Sequence, residues 1–272
     1  MQRTILLALA LACGALLGAP ASAGTIVRFR VNGFDDLDVE LYDAEAPVTV
    51  ANFLKYVEAQ AYDGTFFHRS TTYNPAEVQI VQGGEFGWNG TNVYAVSTDP
   101  PIPLEVTAQL SNVRGTIAMA RQAAPNTATS QWFFNVTDNL ALDPSLGNDG
   151  YAVFGHVIGN GMDVINAIAG LPVYDLNQAI VGAPTGPFRE VPLIDENYLV
   201  MVESVAVVPE PSAMALALLG ICGAAAYRRR RAGGPLARLE QRCTLPAAGL
   251  LLGSANHESC RAAAPATINL DR

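Results

Sequence analysis

The sequence is short of cysteine where cysteine would matter. Its four cysteines, Cys13, Cys222, Cys243 and Cys260, all lie outside the stretch from Gly24 to Val208. That stretch therefore has no internal disulfide and no thiol nucleophile, and it is compatible with an oxidising compartment without requiring one. Basic residues are also scarce there. Seven Lys and Arg stand against twenty-one Asp and Glu, a net of −14, whereas the whole 272-residue chain carries −9. Eight of the sixteen basic residues lie from Arg228 onward. An acidic body lacks the clustered cations that phosphate contacts need, which argues against a nucleic-acid partner. The three histidines, His68, His156 and His257, are too scattered to suggest a metal site. No glycine-rich phosphate loop, Ser/His/Asp arrangement or internal repeat is evident.

What is present begins with an export pattern. In "MQRTILLALALACGALLGAPASAG", Arg3 supplies a charged start, Thr4 to Gly18 an apolar run, and Ala21-Ser22-Ala23 a small-residue cleavage site. Residues 1–23 thus read as a secretory signal peptide that implies the Sec machinery. Cleavage at Cys13 would leave a very short apolar run, so cleavage after Ala23 is favoured. The other end changes character after Val208. "PEPSAMALALLGICGAAAYRRRR" joins Pro209-Glu210-Pro211 to an apolar run, Ala213 to Tyr227, and four arginines. The run predicts a hydrophobic helix, shorter than the roughly 20 residues of a comfortable span. The arginines fit the cytoplasmic side of a membrane. Residues 232–272 have no clear periodicity and read as a disordered tail.

Half of the residues are hydrophobic, enough for one sizeable core. In "TIVRFRV", Val27, Phe29 and Val31 alternate with Arg28 and Arg30, the period of a half-buried strand. "LDVELY" alternates likewise. In "APVTVANFLKYVEAQAYDG", Val50, Phe53, Leu54 and Val57 recur at helical spacing, with Pro47 at the start and Gly64 after the end. Short strand-like runs follow in "TFFHR", "VQIVQGG", "GTIAMAR", "SQWFFNV" and "YAVFGHVI". A second helix is predicted in "GMDVINAIAGL", and "VPLIDENYLVMVESVAVV" reads as a closing strand region. Many short strands with two helices predict a mainly β fold, a barrel or sandwich with helical caps.

Two stretches carry the chemistry. "TFFHRSTTYNPAEVQIVQGGEF" presents Arg69 and then Gln82 across a polar, Pro-containing interruption. In "SQWFFNV" the strand period puts Gln131, Phe133 and Asn135 on one face and Trp132, Phe134 and Val136 on the other. The second face suits a core. The first, an aromatic between two amides, suits an apolar pocket with polar rims.

With "APVTVANFLKYV", "YDGTFFHR", "VQGGEF", "PIPLE", "RGTIAMAR", "PNTATSQWFFNV" and "YAVFGHVIGNGMDVINAI" in this order, the body resembles the cyclophilin-type peptidyl-prolyl cis-trans isomerases, most closely their bacterial branch. The resemblance implies a closed eight-stranded antiparallel barrel capped by two helices over residues 24–206. It also implies an enzyme that rotates X-Pro bonds and assists protein folding. Carried over by position, Arg69 matches the catalytic arginine and Gln82 the glutamine beside it. Ile80, Met119, Ala120, Gln131, Phe133, Leu142 and Tyr151 match substrate-binding residues. The C-terminal residues 207–231 resemble a PEP-CTERM sorting signal, read by an exosortase, with Pro209, Glu210 and Pro211 as its motif. That implies an exported protein, periplasmic or at the cell surface, held by the membrane at least transiently. The 41 residues after Arg231 depart from that pattern.

The chemistry explains the residue types. Rotation about X-Pro crosses a barrier of about 18–20 kcal/mol because amide resonance is lost. No bond forms or breaks, so the reaction calls for no cofactor, metal or nucleophile. In the twisted state the proline nitrogen gains a lone pair, and a fixed donor aimed at it stabilises that state more than the planar one. Arginine, a planar fork of several donors, suits the role. The apolar pocket holds the ring and excludes water. Four departures accompany the resemblance. The interruption before Gln82 is longer than usual. Gln79 stands where the family has a pocket phenylalanine, which predicts a lost apolar wall. Ala141 replaces a tryptophan of cyclosporin-binding members, which predicts weak inhibition by that compound. Arg121 replaces a frequent asparagine. The missing wall and the longer loop keep a second reading open, a weakly active or inactive cyclophilin-like module that binds proline-containing peptides in an extracellular matrix.

Overall fold

The computed structural model describes residues 24–71, 78–180 and 187–209. The chain opens with β1 (Ile26–Val31), β2 (Leu37–Leu41) and α1 (Pro47–Glu58). Short strands follow: β3 (Thr65–Phe66), β4 (Arg69–Ser70), β5 (Ile80–Gly83), β6 (Phe86–Trp88), β7 (Val93–Ala95), β8 (Thr116–Met119) and β9 (Trp132–Asn135). A single 3-10 turn, Leu140–Leu142, precedes β10 (Val153–Val157) and α2 (Gly161–Ala169). The described chain closes with β11 (Val173–Tyr174), β12 (Val191–Ile194), β13 (Tyr198–Leu199) and β14 (Met201–Val207). Eleven strands form one antiparallel sheet in the order β4-β5-β9-β8-β10-β2-β1-β14-β3-β6-β7, and β11-β12-β13 form a second sheet. The architecture is mainly β, a curled antiparallel sheet with two helices.

The alternation in β1 has a direct physical outcome. Val27, Phe29 and Val31 are buried. Arg28, on the other face, lies opposite Asp38 of β2 and donates through Nε and Nη2 to its two carboxylate oxygens at 2.7 and 2.8 Å. Helix α1 begins at Pro47, which needs no hydrogen-bond acceptor. Ala46 offers no side-chain cap, so Glu105 accepts from the Val48 and Thr49 amides instead, at 3.3 and 2.8 Å. A carboxylate there satisfies free amides and faces the positive end of the helix. The buried face of α1 is Thr49, Val50, Phe53, Tyr56 and Val57, so Leu54 sits at its margin. In α2, Val164, Ile165, Ile168 and Ala169 are buried.

The main core lies on the inner face of the curled sheet, between it and the helices. Phe29, Trp132 and Phe134 meet edge to face, with ring centroids 5.2–5.7 Å apart. This crowding explains the Gly83-Gly84 pair. A Cβ on Gly83 would stand 2.7 Å from the Trp132 ring, and Gly84 adds a φ of +84°. A separate apolar cluster of Phe66, Phe86, Phe188, Val191, Leu193 and Leu199 anchors the second sheet. Among the described residues no helix is long and apolar enough to cross a membrane. The predicted C-terminal hydrophobic helix and the N-terminal signal lie outside the described residues.

Candidate active site

Strand register builds the site. Arg69 on β4 lies opposite Gln82 on β5, Gln82 opposite Phe133 on β9, and Phe133 opposite Ala118 on β8. Directly opposed residues of an antiparallel pair share a face. Four neighbouring strands therefore carry one row, from a cation through an amide to an aromatic and a methyl. The neighbours of these residues point inward: Val81, Phe134 and Ile117 are fully buried in the core.

A cavity of about 780 Å³ opens over this outer face. Ile80, Phe133 and Ala120 give it an apolar base, Val78, Leu142 and Tyr151 line its sides, and Arg69 and Gln82 stand at a polar edge. Phe133 is packed by Ile80, Ala118 and Val153 beneath it and meets the Tyr151 ring edge to face at 5.6 Å. A second cavity of about 450 Å³ adjoins the first across Arg69 and Gln82, and is lined also by His68, Glu85, Gln131, Arg189 and Glu190. Gln82 Nε2 donates to Gln131 Oε1 at 2.8 Å, which leaves Gln82 a second N–H and its carbonyl oxygen. Arg69 Nε donates to Glu190 Oε2 at 3.1 Å.

The cavity walls are held by buried amides. Asn135, fully buried, donates to Asn112 Oδ1 at 3.2 Å and Thr116 Oγ1 at 2.9 Å, and accepts from Asn139 Nδ2 at 2.8 Å. Asn139 clasps the Gln79 backbone, accepting from its N–H at 3.0 Å and donating to its C=O at 2.9 Å. Asn112 Nδ2 donates to Asp143 Oδ1 and reaches the carbonyls of Leu142 and Tyr151. Burial pushes the Asp143 carboxyl up, but hydrogen bonds from Ser111 and Asn112 outweigh it and hold the group below the usual range. Arg121 donates to the carbonyls of Gly150, Gln122 and Ala123 and lies 4.7 Å from the Tyr151 ring centroid, so it braces the rim.

The structure thus brings Arg69, Ile80, Gln82, Ala120, Phe133, Leu142 and Tyr151 to one cavity, and Gln131 to the adjoining one. Met119 is not brought there. It lies opposite Trp132, is 1% exposed and belongs to the inner core. Gln79, where a pocket phenylalanine was expected to be missing, is not brought there either. Val78 and Ile80 line the cavity and Gln79 does not, because alternate residues along this edge face opposite ways. No motif or periodicity points to Glu190. Thr71 was likewise missed: its Oγ1 donates to Val78 O and accepts from Ile80 N, tying together the two ends of the polar interruption. Residues 72–77 of that interruption lie outside the described residues, as do Glu210 and Pro211, whereas Pro209 is exposed.

Two groups lining the second cavity have shifted titrations. His68 is buried, its pKa is lowered to about 3 by burial and then by the Arg69 charge, and its Nδ1 has no partner among the described residues. Burial pushes the Glu85 carboxyl up. A neutral His68 adds no like charge beside the guanidinium.

A family model described as "Cyclophilin type peptidyl-prolyl cis-trans isomerase/CLD" matches residues 26–184, and one described as "PEP-CTERM protein-sorting motif" matches residues 207–231. A peptidyl-prolyl cis-trans isomerase of Acinetobacter baylyi is 42% identical over 173 residues, 63% of this chain and 87% of that protein. Peptidyl-prolyl cis-trans isomerase A of Dickeya dadantii is 36% identical over 194 residues, 71% of this chain and 93% of that protein. Isomerase B of Escherichia coli is 37% identical over 185 residues, 67% and 99% of the two chains.

Proposed function

The chain belongs to the cyclophilin-type family of peptidyl-prolyl cis-trans isomerases, and from that premise we propose that Arg69 and Gln82 carry its isomerase reaction over the Phe133 pocket. The enzyme rotates X-Pro bonds of polypeptides. In this reading the proline ring rests on Phe133 between Ile80, Leu142 and Ala120, and Tyr151 closes the far side. Gln82, with Gln131 behind it, orients the carbonyl before proline. Arg69 donates to the proline nitrogen as that atom becomes pyramidal, so the interaction grows toward the transition state. The observation that carries the proposal is the register of Arg69, Gln82 and Phe133 in one row across adjacent strands. Val78 and Ile80 give the cavity apolar lining on either side of Gln79, which supports an active enzyme over a weakly active or inactive binding module.

Other parts of the proposal extend to the fold and the ends of the chain. The segment Thr65–Ser70 pairs with β14 through β3 and with β5 through β4, and Phe67 and His68 donate to the carbonyls of Val200 and Gln82. These bonds support closure of the sheet into an eight-membered ring, with β3 and β4 as one bent strand. Residues 1–23 serve as a signal peptide, 24–206 as the isomerase domain, 207–231 as the sorting segment and 232–272 as a tail. The chain carries a PEP-CTERM protein-sorting motif, which supports export, handling by an exosortase and transient membrane attachment through the apolar run. The clients are then proline-containing, extracytoplasmic proteins.

A protease-coupled assay on a prolyl peptide tests the site. Loss of one donor to a developing charge costs about 10²–10³-fold. Arg69→Ala is expected to lower kcat/KM by about that much, and equal rates for the two proteins would overturn the assignment.

A further inference from the structure

We infer that Glu190 is a positioning residue for this reaction, fixing the orientation of the Arg69 guanidinium; the inference rests on the role proposed for Arg69. Among the described residues the Arg69 guanidinium donates to one acceptor, the Glu190 carboxylate, through Nε at 3.1 Å. Glu190 lies beyond residues 26–184, the extent of the family match, and 121 positions from Arg69.

The placement of the carboxylate does not depend on the ion pair. Ser70 donates its backbone N–H to the Glu190 carbonyl at 2.7 Å, so the two main chains are joined next to Arg69. Two residues earlier Phe188 is fully buried, its ring 4.7 Å from Phe86 and 6.1 Å from Phe66. The next residue, Val191, is also fully buried and starts β12. Glu190 therefore projects from a short segment clamped on both sides, and its side chain is 23% exposed. Arg69 is the looser partner, its side chain 47% exposed.

The geometry at Nε decides what the contact does. The guanidinium is planar with five donors, of which Nε–H is the one next to the chain. A bond at that atom sets the torsion about the Cδ–Nε bond and leaves all four Nη donors free. Without it, a half-exposed arginine samples several rotamers and presents its fork to the substrate for only part of the time. Positioning of this kind acts on the transition state, since a misplaced donor still permits binding but stabilises the twisted bond poorly.

Four variants of the full-length chain decide the point in the prolyl-peptide assay. Glu190→Ala is expected to lower kcat/KM by about tenfold, chiefly through kcat. Glu190→Asp, which keeps the charge but shortens the reach, is expected to fall with it and serves if the alanine variant does not fold. Glu190→Gln, which keeps an acceptor at the same reach, is expected to stay within about threefold of wild type. In an Arg69→Ala background, Glu190→Asp is expected to cause no further loss. Wild-type kinetics in Glu190→Asp, an equal fall in Glu190→Gln, or an additive tenfold loss in the Arg69→Ala background would each overturn the inference. Failure of Arg69→Ala itself to lose activity would overturn the role of Arg69, a separate outcome.

Discussion

His68 gives the sharpest test of how the structure sets a measurable property. Its imidazole is 2% exposed and meets Phe86 edge to face at 5.2 Å. Burial first, and the adjacent Arg69 charge second, lower its pKa from 6.5 to about 3, against a smaller opposing hydrogen bond to the Phe66 backbone. The folded protein thus refuses a proton that the unfolded chain accepts. The stability contributed by this difference is full above pH 6.5 and is lost as the pH falls from there toward 3. At ~1.36 kcal/mol per pH unit, about 2.5 kcal/mol present at pH 7 is gone near pH 4.5. Asp38 and Asp143, both held below their usual range, lose stability in the same direction, and Glu85, pushed up, in the opposite one. The measurement is therefore a difference. Urea unfolding of wild type and His68→Gln at both pH values should show a pH-dependent loss smaller by about 2–3 kcal/mol in the variant. Identical pH dependence would refute the claim that a buried, neutral imidazole sits beside Arg69.

Two further outcomes follow from the cavity walls. Asn135→Ala removes three buried hydrogen bonds and leaves Asn112 Oδ1 without its donor, so it should cost about 2–4 kcal/mol by urea unfolding at neutral pH, and it should raise KM as the Leu142 wall loosens. Ala141 lines the cavity, so cyclosporin should inhibit the wild type only weakly, and Ala141→Trp should tighten inhibition by about tenfold in the same isomerase assay.

Much of the site was legible because strand geometry has a fixed period. Alternation in "SQWFFNV" separates Trp132 and Phe134, which reach the core, from Phe133, which reaches the cavity. The two misplaced residues broke that same rule. Met119 and Ala120 are adjacent, so they cannot both face the groove, and Met119 turns inward. Gln79 is out of phase with Val78, Ile80 and Gln82, and it acts through its backbone instead. Position-by-position likeness places both at the site, whereas counting by two from Gln82 turns Gln79 away and counting from Ala118, opposite Phe133, turns Met119 inward. The amide network left a fainter trace: Asn135 is a polar residue in a strand of large apolar ones. Glu190 left none. Its partner is 121 residues away, and a glutamate before an apolar strand is ordinary. The packing of Phe188 against Phe66 and Phe86, with the Ser70 N–H bond to the Glu190 carbonyl, brings that segment to Arg69.

The same two-sided construction determines how activity and stability respond to change. The row from Arg69 to Phe133 rides on strands whose inner faces hold Trp132, Phe134 and Val81, all fully buried. A reaction that makes and breaks no bond has little to gain from a tuned acid or base and depends on a donor and a pocket that keep their places. Rigidity is then the catalytic resource, supplied by the core beneath the sheet and the amides behind the walls. Changes on the outer row should lower turnover with little effect on unfolding, whereas changes in the core or the amides should move both together. The acid limb of the activity profile belongs to the second class. With no proton transferred in the reaction, turnover should hold as the pH falls until the burial of His68 weakens the fold, so that loss of activity coincides with loss of structure.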